Sequence, residues 1–256
     1  MTTTALDFTP RPGAAPLTRM VAAQAVAETR AVLRNGEQLL LTMIIPVLLL
    51  IGFGRAPIIT VSGPRIDFVT PGVLALAVMS TAFTGQAIAT GFERRYGVLK
   101  RLGATPLSRA GLLLAKTLAV IAVEVIQVVV ISAVAFALGW SPTGNPIWAL
   151  LLLLAGTIAF SGLGLLMAGI LRAEATLAAA NLVYLVLLGI GGVVIPLTDF
   201  PASVQGVLHL LPITALTTGM RSVLADGAGL PVGPLLILLA WAAATLALAS
   251  RTFKWE

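Results

Sequence analysis

Residues 93–109 read Glu-Arg-Arg-Tyr-Gly-Val-Leu-Lys-Arg-Leu-Gly-Ala-Thr-Pro-Leu-Ser-Arg, which places five Lys/Arg and one acid between two long apolar stretches. Charge pairing and docking are the chemistry such residues can do; no nucleophile with a base is among them. Deeper in the following apolar stretch lie Lys116, Glu124 and Gln127. At i, i+8 and i+11 they share one helical stripe about 80° wide, which Arg109 extends. Ionisable groups inside a membrane face protein or a watery cavity and are functional by default. Glu124 and Gln127 therefore line a route for a cationic substrate, meet a second subunit, or fasten two helices; Glu124 as a proton carrier is a further reading. Asn181 and Tyr184, near one turn apart, are placed to hydrogen-bond across helices or touch a substrate. His209 is the single histidine and there is no cysteine, so neither a metal site nor a catalytic triad is expected.

The elements that carry these residues follow from composition. Of 256 residues 58% are hydrophobic and 10% charged, against roughly 25% charged in a soluble domain, so the chain is all-α and polytopic in a membrane. The net charge of +6 is split among short segments, which fits topology signalling and not nucleic acid. Six apolar spans are expected, at 39–53, 69–92, 110–138, 147–171, 176–195 and 231–250. The first covers only about 23 Å of a roughly 30 Å core. Within the fourth, Ala155, Gly162 and Gly169 form a small-residue packing seam. Trp140, Trp148 and Trp255 fall near span ends as interfacial anchors; Trp241 does not.

Ahead of the spans, residues 1–16 read as a disordered tail and residues 17–36 as an amphipathic helix lying at the membrane interface. Val21, Ala22, Ala25, Val26, Val32 and Leu33 form its apolar arc, opposite Arg19, Arg30 and Arg34. No cleavable signal peptide is apparent. The chain thus divides into a tail with its interfacial helix (1–36) and one six-span domain (37–256). Between the last two spans, 196–230 is too apolar for a solvated loop. Segments 204–211 and 213–224, separated by Pro212, read as two short re-entrant helices.

A charge cluster as dense as 93–109 cannot lie in hydrocarbon, where each Lys or Arg costs about 2.5–3.5 kcal/mol. It is therefore expected as a loop. Twelve Lys/Arg fall on the side that includes this loop and both termini, and three (Arg55, Arg65, Arg221) on the other, so loop and termini are cytoplasmic. Gly97 and Gly103 bracket a short helix, 98–102, with Leu99 and Leu102 on one side and Lys100 and Arg101 on another. That is a peg suited to a cleft on a cytoplasmic partner.

The 93–109 segment, followed by Lys116, resembles the loop of type-2 ATP-binding-cassette (ABC) exporter permeases, with their Glu-Arg-x-x-Gly-x-Leu, Leu-x-x-Thr-Pro-Leu-Ser and later Lys. Gly191-Gly-Val-Val-Ile-Pro196, Phe200-Pro201, Leu211-Pro212 and Met220-Arg221 are similar to the family's second pattern. The drug-resistance branch, including daunorubicin-type exporters, is the nearest in kind. The resemblance implies a subunit of the bacterial plasma membrane that pairs with a second copy or a paralogue. It implies a coupling motif at Glu93, Arg94, Gly97, Leu99, Leu102, Thr105 and Pro106, docked on a cytoplasmic ATPase that holds ATP and Mg. Gly103-Ala104 depart from the bulkier apolar residues usual there. The chain has no Gly-x-x-x-x-Gly-Lys-[Ser/Thr] phosphate loop, so it binds no cofactor by the usual cradle. The implied cargo is a drug- or lipid-like amphipathic molecule. The alternatives are a permease for haem, glycan or lipid, or a proton-coupled secondary transporter using Glu124. An intramembrane enzyme lacks the paired acids or dyad it would need.

If Glu124 lines the route, Glu124→Gln alters transport of cations while the folded complex stays at its normal level in membranes. Equal loss of the complex, measured by quantitative blotting of the membrane fraction, would show a fastening role instead.

Overall fold

The computed structural model describes residues 13–55, 63–193 and 195–252. The expected tail lies mostly outside these residues, as do Trp255, Arg11 and Lys254. All secondary structure among the described residues is helical. Helix α1 spans Leu17–Arg34 and α2 Gly36–Arg55, longer than the expected 39–53 because the helix continues through the polar residues on its entry side. Within α2, Thr42–Arg55 is an apolar stretch shorter than a full crossing.

The second apolar stretch is one rod, Arg65–Arg95, 31 residues long and 83% buried over its most apolar part. It is the axis around which the others pack. It is not uniform: α3 (Arg65–Val78) passes into a π-helical segment (Met79–Gly85), then α4 (Gln86–Arg95). A π turn widens the backbone locally and is a feature of functional sites more than of plain spans. The rod also corrects the expected loop. Glu93, Arg94 and Arg95 form the last turn of α4 and are not loop residues. Gly97, at φ 72°, takes the left-handed conformation that ends this rod and turns the chain into α5 (Val98–Gly103). The expected peg is present.

Ser108 then caps α6 (Arg109–Ala137), its hydroxyl accepting from the Gly111 amide at 3.1 Å. At 29 residues α6 rises about 44 Å and outruns the hydrocarbon, so its first turns stand beside α1 and α5. Asn145 caps α7 (Pro146–Ile170), with Pro146 in the first turn. Helix α8 (Ala173–Ile190) is shorter than the expected 176–195 at its far end. A buried Gly191–Val193 turn and a 3₁₀ turn at Leu197–Asp199 follow. Helices α9 (Ala202–His209) and α10 (Pro212–Leu224) are bent by 90° at Pro212, as their separation in sequence required. Last comes α11 (Val232–Thr252).

Among the described residues five helices, the rod, α6, α7, α8 and α11, are long and apolar enough to cross a membrane, or six if the bent pair forms one span. The chain is a multi-pass membrane protein. Helix α1 packs along α6, and its expected apolar arc splits in two. Val21, Ala25 and Val32 face the bundle together with Gln24 and Glu28, whereas Ala22, Val26 and Leu33 are exposed next to the exposed Arg19, Arg30 and Arg34. An apolar strip bordered by arginines is the surface an interfacial helix presents to lipid.

Helix α7 packs most closely against α11 and the rod, and its small residues explain how. Gly164 lies so near the π segment that an added Cβ would be 2.7 Å from the Phe83 carbonyl oxygen. At Gly162 a Cβ would lie 2.1 Å from Thr245 Oγ1 of α11, which identifies the partner of the seam foreseen at Ala155, Gly162 and Gly169. Replacing Gly162→Val is expected to lower stability by about 1–3 kcal/mol or more through overpacking. The check is a fall in the thermal midpoint of the detergent-purified protein, with Gly189→Ala, where nothing lies within 4 Å, as the neutral control.

Candidate functional site

Three helices, α1, α4 and α6, converge near the start of α6. Lys116, 4% exposed, extends from α6 toward α1 and α4. Its Nζ donates to Glu28 Oε1 and Oε2 at 3.0 and 3.1 Å, and to Glu93 Oε2 at 2.6 Å. Gln24 Nε2 donates to Glu28 Oε1 at 2.8 Å and holds that carboxylate from its own helix. One ammonium thus bridges two acids on two other helices. Glu28 was not singled out from sequence, although it stands as an acid in the middle of the inward stripe of an otherwise basic helix.

The neighbouring arginines work the same way. Arg94 Nη1 donates to the Gly169 carbonyl at 2.8 Å and Nη2 to that of Leu171, so a cation closes the C-terminal end of α7. Arg95 pairs with Glu174 at the start of α8, an exposed pair of small energetic weight. Leu99 of the peg is fully buried among Val21, Leu107, Leu112 and Leu165, and Leu102 packs at the edge of that cluster. Thr105 donates its hydroxyl to the Leu102 carbonyl, tightening the turn before Pro106, and both residues are exposed. So of the seven coupling residues expected, Glu93, Arg94 and Leu99 attach the peg to its own chain. The outer surface of the peg includes Tyr96, Val98, Lys100, Arg101, Thr105 and Pro106.

Further along α6 the same stripe turns to other partners. The Thr157 hydroxyl of α7 donates to Glu124 Oε2, while Glu124 Oε1 is buried without a partner. Gln127, 1% exposed, accepts from Thr81 of the π segment at 2.9 Å and donates to the Thr42 carbonyl of α2 at 2.9 Å. Both residues lie inside the bundle, each hydrogen-bonded to a neighbouring helix. Asn181 and Tyr184 lie one turn apart on α8. Asn181 is exposed and donates to the Leu177 carbonyl of its own helix, and Tyr184 is half-buried against the core.

A fourth cluster lies at the other end. Arg221 of α10, counted from sequence among the three outer-side charges and expected in the second re-entrant helix, donates to the carbonyls of Phe68 (3.2 Å), Gly192 and Val193 (2.7 Å). Its guanidinium also sits 3.6 Å from the Phe68 ring centre. It joins α10, the start of α3 and the turn after α8. The spacing of Gly191–Gly192 and Arg221 in sequence is thereby explained as one clasp. His209, at the end of α9, is exposed and takes no part in it.

These features match a known pattern: the model of the ABC-2 type transporter family fits residues 21–225. The chain belongs to the ABC-2 type transporter family. Members are membrane components of transporters and usually pair with an ABC ATPase. The matched range runs from the inward face of α1 to the residue after α10, and so contains the Lys116 bridge, the peg and the Arg221 clasp. The permease is also 27% identical over 180 residues to Nodulation protein J of Azorhizobium caulinodans, covering 67% of this chain and 68% of that one.

Because Lys116 neutralises acids from two helices, Lys116→Met leaves both carboxylates without their cation. Breaking a buried pair costs about 3–5 kcal/mol. The lower end is expected, since the Glu93 side chain keeps 24% of its surface exposed. Adding Glu28→Gln and Glu93→Gln to Lys116→Met should restore most of the loss. Thermal unfolding of the single and triple variants in detergent measures both.

Proposed function

We propose that this permease is the transmembrane subunit of an ATP-driven exporter of the bacterial plasma membrane, six-span with both termini cytoplasmic. It works beside a second copy or a paralogue and moves a hydrophobic or amphipathic small molecule, drug- or lipid-like, outward. A separate ATPase subunit, holding ATP and Mg, docks on the 93–109 segment. The observation that carries this reading is the two-sided peg. Leu99 is 0% exposed on the inner side, while Tyr96 (68%) and Val98 (39%) are displayed on the outer side with Arg101. An apolar residue anchoring a helix inward and apolar groups displayed outward, next to a cation, describe a docking knob with its root in the bundle. Displacing that knob moves α4, of which it is the continuation, and α6, which Lys116 ties to α4.

The second permease has a place on α8. Leu182, Asn181 and Leu185 are exposed there, and a side-chain amide among apolar neighbours is better satisfied by a protein partner than by lipid. In this reading Asn181 and Tyr184 border the path between the subunits, and Glu124 and Gln127 hold its wall in shape. One observation favours a second reading, a proton-coupled carrier: Glu124 Oε1 has no partner. The two differ in energy source, since ATP depletion stops the first and dissipating the proton gradient stops the second.

Val98→Asp with Arg101→Glu should abolish co-purification of the ATPase while insertion and thermal stability remain unchanged. Leu99→Ala should instead destabilise the permease by about 2–5 kcal/mol even when no ATPase is present. Retention of the ATPase by the Val98/Arg101 variant, judged by pull-down from detergent extracts, would remove the basis for docking at this knob.

A further inference from the structure

Between α1, the π segment, α4 and α6 lies a half-open cavity of about 200 Å³. Its polar wall includes Glu28, Glu93 and Lys116, together with Gln86 and Thr90 from the first turns of α4. The Gln86 side chain is 5% exposed and neither its Oε1 nor its Nε2 has a hydrogen-bond partner; Thr90, 0% exposed, has an unpartnered Oγ1. Buried polar groups in native proteins are paired, and a cluster of unpaired ones along one wall needs an explanation. Charge is incomplete too. Two carboxylates share one ammonium, and Lys116 reaches only Oε2 of Glu93. The rest of the lining is mostly apolar, from Ala31, Val32, Ala89, Ala119, Val120 and Val123, with Gly85 and the polar Asn35 and Thr81 among them.

We propose that this cavity binds the ammonium head and adjoining carbons of a primary-amine amphiphile. An ammonium group donates three hydrogens and accepts none. The wall supplies acceptors to match: Gln86 Oε1, Thr90 Oγ1 and the Glu93 carboxylate. Added to Lys116, the ligand's charge brings the site to two cations against two anions, which removes the net charge from a largely desolvated place. Gln86 Nε2 is left to donate to a hydroxyl or carbonyl beyond the amine. The cavity is smaller than the roughly 300–1,000 Å³ of pockets for drug-sized ligands, so it takes a head and a short stem and leaves any longer tail outside. A quaternary ammonium has the charge without the hydrogens, and an alcohol has a hydroxyl without the charge; neither meets both demands. The site lies wholly within this chain, so it stands or falls independently of the ATPase docking proposed above.

The test uses the full-length permease alone in phosphatidylcholine nanodiscs. Binding of radiolabelled n-octylamine is measured by equilibrium dialysis, with uptake by empty nanodiscs subtracted and n-octanol and n-octyltrimethylammonium as competitors. Saturable binding of one octylamine per chain is expected, displaced poorly by either competitor. Gln86→Leu should weaken it about tenfold or more, the scale of one lost charge-assisted hydrogen bond. The same exchange should leave thermal stability equal or higher, because an unpaired amide is removed. Thr90→Val should weaken binding in the same direction and decides the matter if Gln86→Leu fails to fold. Uptake no greater than that of empty nanodiscs would overturn the proposal. So would equal displacement by n-octanol, which marks an apolar void, or undiminished binding in a folded variant.

Discussion

A lysine taken almost wholly out of solvent needs compensation, and Lys116 finds it on two sides at once, in Glu28 of α1 and Glu93 of α4. The geometry of the inner end of the permease depends on this arrangement. Without it α1 would have only a narrow strip of Val21, Ala25 and Val32 to hold it against α6. With it, three elements distant in sequence are locked in register, because an ammonium has one position that serves both carboxylates. Such a bridge contributes less to stability than its short distances imply, since desolvation offsets much of the attraction. Its larger effect is to penalise any arrangement in which one partner is displaced alone. That is the property required of a part that transmits force.

The same logic recurs at the opposite end with different chemistry. Arg221 satisfies the carbonyls of Gly192 and Val193, where an irregular turn would otherwise leave acceptors unpaired in an apolar setting, and adds a further bond to the Phe68 carbonyl in the first turn of α3. Backbone that leaves the helix inside a membrane protein is tolerated only where protein groups re-satisfy it. The guanidinium fork reaches three carbonyls from two separate segments, which a lysine with a compact head could not do as well. Arg94 likewise closes the end of α7 with a cation.

Between these ends the bundle is organised around the Arg65–Arg95 rod and its π segment. Thr81, from that segment, meets Gln127, which in turn reaches the Thr42 carbonyl; Glu124 meets Thr157 one helix further on. Hydrogen bonds of this kind within a membrane are each modest, of order 1 kcal/mol. Their value lies in specifying which faces meet in a sequence where nearly every face is apolar. The segment's widened backbone and the unpaired Gln86 and Thr90 just beyond it fall beside the same cavity.

By itself the sequence determined the class of the molecule: apolar runs of spanning length, the lone short helix between Gly97 and Gly103, the break at Pro212 and the small-residue seam of α7. These are local properties, set by hydropathy, backbone preference and side-chain size, and they need no knowledge of neighbours. Only the tertiary structure decided which partners the polar residues take. The α6 stripe of Lys116, Glu124 and Gln127 was legible as a stripe, yet its three members meet α1 with α4, α7, and the π segment with α2. Glu28, Gln86 and Arg221 carried no periodic signal, because a single polar residue on a helix has meaning only through the group it faces. The π turn escaped because nothing in the composition of Met79–Gly85 distinguishes a π turn from an α turn. Leu99 shows the limit most plainly. Its spacing placed it on one side of the peg, but whether that side faces the bundle or the cytoplasm is a question of packing, settled where α1, α5 and α6 meet.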